Sequence, residues 1–489
     1  MNTKKFTILH SNDMHGDFLA ETGTDRQRAI GGLALLSGYI NKVRKEEQNV
    51  LYVISGDMVQ GSLIDSEYKG ISTIEIMNYL APDVVTLGNH EFDYGLPHLL
   101  FLEKMANFPI VNANLYIKQF HKRLMRPFVI IKKDGFDFLF TGIITDKVID
   151  SIKLDSLVGS FISLEEAKAE VGRITNVYKD DDIDCTVLLT HIGFDSDKQL
   201  AAMLDPAWGV DLIIGGHSHT VLEKPEVING IPIVQAGTST NQIGRMDIVV
   251  DDDTNAIVSY TWKLVPITSD ICAPDRALET FISSFADPVN RKYASVITKF
   301  TDIMTHPKRE EETQLGNFIA DIFADVSKAD MVLIGSGSIR NKSLGPVVTL
   351  MDLKTCFPFD DSIILCTVSG RQLRTIFSHI MRKDNRTGEG ECYQVNHGVK
   401  AIYDDQKQKI VSLLVRGVPI VDELSYTLAL QGYHKANAKQ NLGIGEDDFC
   451  GKNYTVITTS AYDVLEEYLR SHQHCATPKF GRLIYLSES

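Results

Sequence analysis

The chain has 489 residues, enough for two domains of ordinary size rather than one core. Its formal net charge of -15 offers no basic excess to neutralise a phosphate backbone, which argues against a nucleic-acid polymer as partner but not against a small anionic substrate. No apolar run approaches the roughly 18 residues that span a bilayer, so no membrane partner is expected. Near the N-terminus only Phe6 to Leu9 is apolar, too short for a signal-peptide core of about 7 to 15 residues. The seven cysteines contain no CxxC pair and are odd in number. Buried thiols in a reducing compartment fit them better than a disulfide framework, and the expected location is the cytoplasm.

The first informative stretch is "TILHSNDMHGDF", residues 7 to 18. A short strand runs straight into Asn12, Asp13 and His15. If the backbone stays extended, positions 13 and 15 point the same way. A carboxylate and an imidazole on one face suggest a metal, with an Asx-rich turn as the alternative.

The device recurs along the chain. "VLYVISGD" ends at Gly56 and Asp57, and "VVTLGNHEFDYG" at Asn89, His90, Glu91 and Asp93. "TVLLTHIG" ends at His191, and "DLIIGGHSHT" at His217 and His219. Each apolar run reads as a buried strand. In layered α/β folds ligands gather beyond the carboxyl ends of strands, so five such ends can converge on one point. Gly56, Gly88, Gly215 and Gly216 let the backbone turn sharply there. Singly, each block could be a turn or a packed histidine; jointly they point to a metal centre.

Asp13, His15, Asp57, Asn89, His191, His217 and His219 make seven donors, too many for one four-coordinate ion. They suit two if a carboxylate bridges, and Asp57 is the natural bridge. One ion then takes Asp13, His15, Asp57 and His219, and the other takes Asp57, Asn89, His191 and His217. The mixed nitrogen and oxygen set fits manganese, iron, cobalt or zinc better than calcium. Two divalent ions with two aspartates and a bridging hydroxide remain positive and attract an anion, a phosphate ester above all.

Together the blocks "NDMHG", "SGD", "GNHEFDYG", "THIG" and "GGHSHT" resemble the binuclear metallophosphoesterase superfamily, and their context its 5'-nucleotidase family, which includes UDP-sugar hydrolases and 2',3'-cyclic nucleotide phosphodiesterases. The resemblance implies an α/β fold: a four-layer αββα catalytic domain over residues 1–268, then a connector helix and a smaller α+β substrate-binding domain. It also implies that His90 stands beside the metals, contacting the phosphoryl oxygen or the leaving alkoxide, with Asp93 orienting it. The alternative for His90 is a further metal ligand. Metal-bound water, with a pKa near 7, supplies the hydroxide. Ser11, Ser55 and Ser218 lack the histidine-plus-orienter arrangement of an activated serine.

Residues 269–298 read as a connector, polar and carrying Pro274 and Pro288, with a helix from Asp275 towards Ala286. Residues 299–489 have their own core. Thr313 can cap a helix with Leu315, Phe318, Ile319, Ile322 and Phe323 on one face. A strand through Val332 to Ile334 follows, then a strand from Ile363 to Val368. Further helices carry Leu373, Ile376, Phe377 and Ile380, and Val464, Leu465, Tyr468 and Leu469.

"LGNFIADIF", "GSGSIRN", "FPFDDSI" and "VSGRQL" resemble the C-terminal substrate domain of the 5'-nucleotidases. The likeness implies that Arg340 holds a phosphate or carboxylate-like group, while Phe359 and Tyr433 sandwich a base. The bland alternatives are a surface ion pair for Arg340 and core packing for the two aromatics. The turn before Arg340 departs from the family pattern, Glu311 stands where an arginine is expected, and "HKANAKQNLGIGEDD" replaces a glycine-rich acidic loop. The implied activity is hydrolysis of nucleoside 5'-monophosphates to nucleoside and phosphate. Nucleotide sugars, cyclic nucleotides or other small phosphoesters remain as alternatives, as does a non-catalytic protein that binds phosphorylated ligands through its metals.

Overall fold

A computed structural model of the chain describes residues 3–22, 28–117, 122–144, 160–161, 163–177, 182–387, 392–451 and 453–486. The chain divides into two compact units, Met1–Val289 and Asn290–Ser489. The division falls inside the stretch read as a connector.

The first unit is built on strands β1 (Thr3–Ser11), β2 (Val50–Ser55), β3 (Val84–Thr86), β4 (Ile110–Val111), β5 (Phe128–Lys133), β6 (Phe136–Ile144), β7 (Cys185–His191), β8 (Leu212–Ile214), β9 (Glu226–Ile228), β10 (Ile231–Val234), β11 (Gln242–Asp251) and β12 (Ala256–Pro266). One sheet has the order β12-β11-β1-β2-β3-β4 and the other β9-β10-β8-β7-β6-β5. Within the first, β1 to β4 run parallel. Within the second, β6, β7, β8 and β10 run parallel. Each parallel set therefore ends at one edge of its sheet, and that edge carries the site.

Side-chain alternation sorts the residues into layers. Phe6 and Ile8 of β1 and Leu51 and Val53 of β2 share one buried cluster with Phe138 and Phe140 of β6 and Val187 and Leu189 of β7. That cluster is the interior between the sheets. The intervening residues Leu9, Tyr52, Ile54 and Val85 face outward. They pack against the helices Leu33–Glu46, Ile71–Leu80 and Leu96–Met105. On the opposite side, Leu139, Leu188 and Ile213 pack against the helices Leu164–Val177 and Phe194–Met203. The order of layers is thus helix, sheet, sheet, helix, the expected four.

The helix Arg276–Tyr293 is started by Asp275, whose Oδ1 accepts from the N–H groups of Ala277 and Leu278 at 3.1 and 3.2 Å. Leu278, Ile282 and Ala286 recur at helical spacing and sink into the first unit's core. Pro288 lies inside this helix, just before the unit boundary.

The second unit has a five-stranded sheet in the order Tyr393–Val395, Met331–Gly335, Ser425–Gln431, Ile363–Ser369, Tyr454–Thr458. A four-stranded sheet follows the order Val418–Pro419, Lys409–Val415, Val399–Asp404, Leu483–Leu486. Thr313 Oγ1 accepts from Gly316 N at 3.1 Å and starts the helix Gln314–Ser327, which buries the five residues read as its core face. The helix Gly370–Ile380 begins with a reciprocal cap between Ser369 and Gln372 and buries Leu373, Ile376, Phe377 and Ile380. Among the described residues no helix is long and apolar enough to cross a membrane.

Candidate metal centre

The tips of β1, β2, β3, β7 and β8 bring the seven candidate ligands together. Asp13, His15 and His219 each place a ligand atom within 4.8 Å of the others, as do Asp13, Asp57 and His191, and His15, Asp57 and His90. Asp57 belongs to two of these groups. Its Oδ2 lies 3.1 Å from His191 Nε2 and 4.0 Å from His15 Nε2. On one side His219 Nε2 is 3.4 Å from Asp13 Oδ1 and 3.1 Å from His15 Nε2. On the other, His217 Nδ1 is 2.8 Å from Asn89 Oδ1, and the His191 and His217 rings meet edge to face at 5.3 Å. Donors from both ligand sets counted from the sequence approach Asp57, and His191 Nε2 also lies 3.8 Å from Asp13 Oδ1.

The route by which Asp13 and His15 converge differs from the extended strand expected. β1 ends at Ser11, and both residues then take positive φ, 51° and 48°. Asp57, His217 and His219 do the same at 53°, 78° and 52°. This left-handed backbone is uncommon for residues with a Cβ. Strain of this kind persists only where the surroundings over-determine it. Here they do, through a lattice of backbone bonds: Asp13 N donates to Gly56 O at 3.1 Å, and His15 N to Asp57 O at 3.0 Å. Gly56 and Gly216 flank His191 so closely that a Cβ on either would sit 2.7 Å from its Nδ1.

Side-chain orientation is set with equal care. His191 Nδ1 donates to Ser55 O at 2.7 Å, which leaves the Nε2 lone pair facing Asp57. Among the described residues Nε2 is buried without a hydrogen-bond partner. A lone pair and a carboxylate oxygen at 3.1 Å are two acceptors face to face, and a cation between them satisfies both. Asp13 is held by His217 N at 3.0 Å and by Asn12 Nδ2 at 2.7 Å. Burial lowers the pKa of His15 and His217, favouring the neutral imidazole that binds metals. When a proton rather than a cation lies between His191 and Asp57, burial still opposes charge on both, yet their mutual attraction raises the His191 pKa to about 9 and holds the Asp57 carboxyl below the usual range.

His90 and Asp93 stand beside this group. His90 Nδ1 is 2.7 Å from Asp93 Oδ2, and its ring meets His15 edge to face at 5.2 Å. The Asp93 hydrogen bond raises the His90 pKa, more than burial depresses it. His90 N also donates to Asp57 Oδ1 at 2.9 Å, which ties the two loops.

One residue carries a task that no sequence signal had marked. Glu91 is 3% exposed, and its carboxylate accepts from the backbone N–H groups of Gly88 at 2.6 Å, Met58 at 2.7 Å and Asp57 at 3.0 Å. Its position between His90 and Phe92 in "GNHEFD" gave it proximity but no role. Behind the other loop, Gln235 Oε1 accepts from Thr220 N at 2.7 Å and Ser218 Oγ at 3.0 Å, fixing the turn that bears His217 and His219. Ser218 Oγ also receives Phe194 N, so it serves the turn.

In the second unit, Phe359 is 49% and Tyr433 62% exposed, which removes the core-packing alternative for both. The Arg340 guanidinium lies over the Phe359 ring, 4.8 Å from its centroid. Asp361, two residues beyond Phe359, accepts the backbone N–H of Tyr433 at 2.7 Å. The three residues therefore share one exposed corner of that unit.

A calcineurin-like phosphoesterase model matches residues 6–221, and a model of the 5'-nucleotidase C-terminal domain matches residues 293–443. The chain belongs to the 5'-nucleotidase family of metallophosphoesterases. It is a hydrolase that acts on phosphoester bonds with divalent metal ions. Among its relatives is a snake venom 5'-nucleotidase of Crotalus adamanteus, 27% identical over 88% of this chain and 80% of the relative. An apyrase of Tabanus yao is 26% identical over 98% of this chain and 93% of its own. The fold matches a 5'-nucleotidase precursor from Thermus thermophilus with TM-score 0.63 at 22% identity, covering 99% of this chain and all of that one.

Proposed function

We propose that the protein hydrolyses nucleoside 5'-monophosphates to nucleoside and phosphate, using two divalent cations joined through Asp57. The observation that carries the reading is the approach of donors from both proposed sets to Asp57, His191 at 3.1 Å and His15 at 4.0 Å, with Asn89 and His217 paired at 2.8 Å. Asp13, His15, Asp57, Asn89, His191, His217 and His219 would hold the two cations, whose chemistry there would be to acidify water and to stabilise charge on the phosphoryl oxygens. Asp13 and Asp57 hold the charge balance, and the neutral imidazoles leave the centre net positive towards an anion. His90, whose protonated form the Asp93 hydrogen bond favours, is the group that would donate a proton to the departing oxygen. Arg340 binds an anionic group, and Phe359 with Tyr433 supplies aromatic faces for a base.

Relatives described as a 5'-nucleotidase and an apyrase support a nucleotide over an unrelated phosphoester. The test is phosphate release by the manganese-loaded protein from adenosine monophosphate, a UDP-sugar, a cyclic nucleotide and p-nitrophenyl phosphate. Preferred turnover of the monophosphate supports the reading. Turnover of the aryl phosphate with none of any nucleotide overturns it.

As a separate proposal, the protein works in the cytoplasm. The reading rests on the sequence, whose seven cysteines are odd in number and form no CxxC pair. Subcellular fractionation checks this, and recovery outside the cytoplasmic fraction overturns it.

A further inference from the structure

We propose that Cys366 and Cys450 are a disulfide-forming pair, and that their bond clasps the chain segment carrying Tyr433. The two Sγ atoms lie 2.7 Å apart, both in buried residues. Cys366 sits mid-way along the strand Ile363–Ser369, paired with Leu428 on one side and Tyr454 on the other. Cys450 follows the short helix Glu446–Phe449.

The segment between Gly432 and Cys450 is a strap of three short helices, Gly432–Ala436, Ala438–Asn441 and Glu446–Phe449. Its start is already fastened beside the strand Ile363–Ser369. Gly432 N donates to Ser362 O at 2.9 Å and Tyr433 N to Asp361 Oδ2 at 2.7 Å. Its far end is held by Gln372 Nε2, which donates to Phe449 O at 3.2 Å. A covalent bond at Cys450 would fix that far end to the strand that follows directly on Asp361 and Ser362, which hold the near end. The strap, with Tyr433 at its head, would then have both ends pinned.

The chemistry needs an oxidant, and a low-molecular-weight disulfide such as oxidised glutathione supplies it. Cys450 as thiolate attacks one glutathione sulfur, breaking the glutathione S–S bond and releasing one glutathione thiolate. Cys366, losing its proton to solvent, then attacks the Cys450 sulfur of the mixed disulfide and releases the second. The protein thiols lose two electrons and the oxidant gains them. Burial raises the Cys450 pKa while the Lys435 ammonium opposes the rise, and burial also raises that of Cys366. The reaction is therefore slow at neutral pH and quickens in alkali.

The experiment incubates the metal-loaded protein with oxidised glutathione at pH 8.5 until the more exposed Cys475 is fully modified, then maps peptides by mass. A linked Cys366–Cys450 peptide is expected, lost in Cys450→Ser and kept in Cys475→Ser, together with slower tryptic cleavage at Lys439. Free thiols at both positions, or Cys366 linked elsewhere, overturn the proposal. The effect on Tyr433 rests on the nucleotidase reading, whereas the peptide map does not, so the two can fail separately. A bond that leaves KM for a nucleoside monophosphate unchanged overturns control of Tyr433.

Discussion

Glu91 Oε2 accepts the backbone N–H of Asp57 at 3.0 Å, so a buried carboxylate fixes the loop that presents the candidate bridging ligand. Its other bonds reach Gly88 and Met58, so one side chain joins the tips of β2 and β3. Burial pushes the Glu91 carboxyl up to about 7, with the Asp57 charge adding to the rise. Glu91→Ala would strand these buried donors at about 1–3 kcal/mol each. Metal affinity should fall about 10- to 100-fold. Isothermal titration with manganese and a thermal melt check the two effects, and unchanged affinity would dismiss the role.

Asp57→Asn removes a negative charge from between the two donor groups. The variant should lose tight binding of the second equivalent of metal while keeping its fold. Elemental analysis after gel filtration measures the loading. Two retained ions with full activity would refute the bridge.

His90→Ala should lower kcat by about 10²–10⁴ while leaving the metal content intact. The loss should be smaller on p-nitrophenyl phosphate, whose leaving group needs no proton. Because the Asp93 hydrogen bond raises the His90 pKa, kcat should fall as pH rises through that elevated value. Asp93→Asn should move this alkaline limb to lower pH. A pH profile of both variants measures it, and rates indifferent to His90→Ala would remove His90 from the role of proton donor.

His434 is buried, with Nδ1 2.9 Å from the Tyr393 hydroxyl, and burial lowers its pKa to about 4. The unfolded chain takes up a proton near pH 6.5 that the folded chain refuses until about pH 4. Stability should therefore fall as pH drops across that window, by up to about 1.4 kcal/mol per pH unit from this group. Urea unfolding of the wild type and His434→Gln at pH 7 and pH 5 tests the slope. Parallel losses in both proteins would assign the acid sensitivity elsewhere.

The ligand residues were legible because each stands at the end of an apolar strand, where residue type and position speak together. The apolar runs also marked these strands as buried, and Phe6, Ile8, Leu51 and Val53 lie between the two sheets. What the sequence hid is backbone and second-order support. Nothing in the letters says that Asp13 and His15 adopt positive φ, because such conformations are imposed by bonds such as Asp13 N to Gly56 O, distant along the chain. Glu91 and Gln235 were silent for the same reason: their partners are main-chain amides and hydroxyls, which leave no compositional trace. Exposure of Phe359 and Tyr433 was equally hidden, since an aromatic letter reads alike in a core and on a surface.

The left-handed turns at Asp13, His15, Asp57, His217 and His219 set a rule for anyone who would graft this centre onto another scaffold. Copying the seven side chains alone would leave them on ordinary backbone, splayed and unable to meet. The transplant must bring the glycine spacers and the Glu91 anchor with it, because the recipient loops have to be bent before any ion arrives.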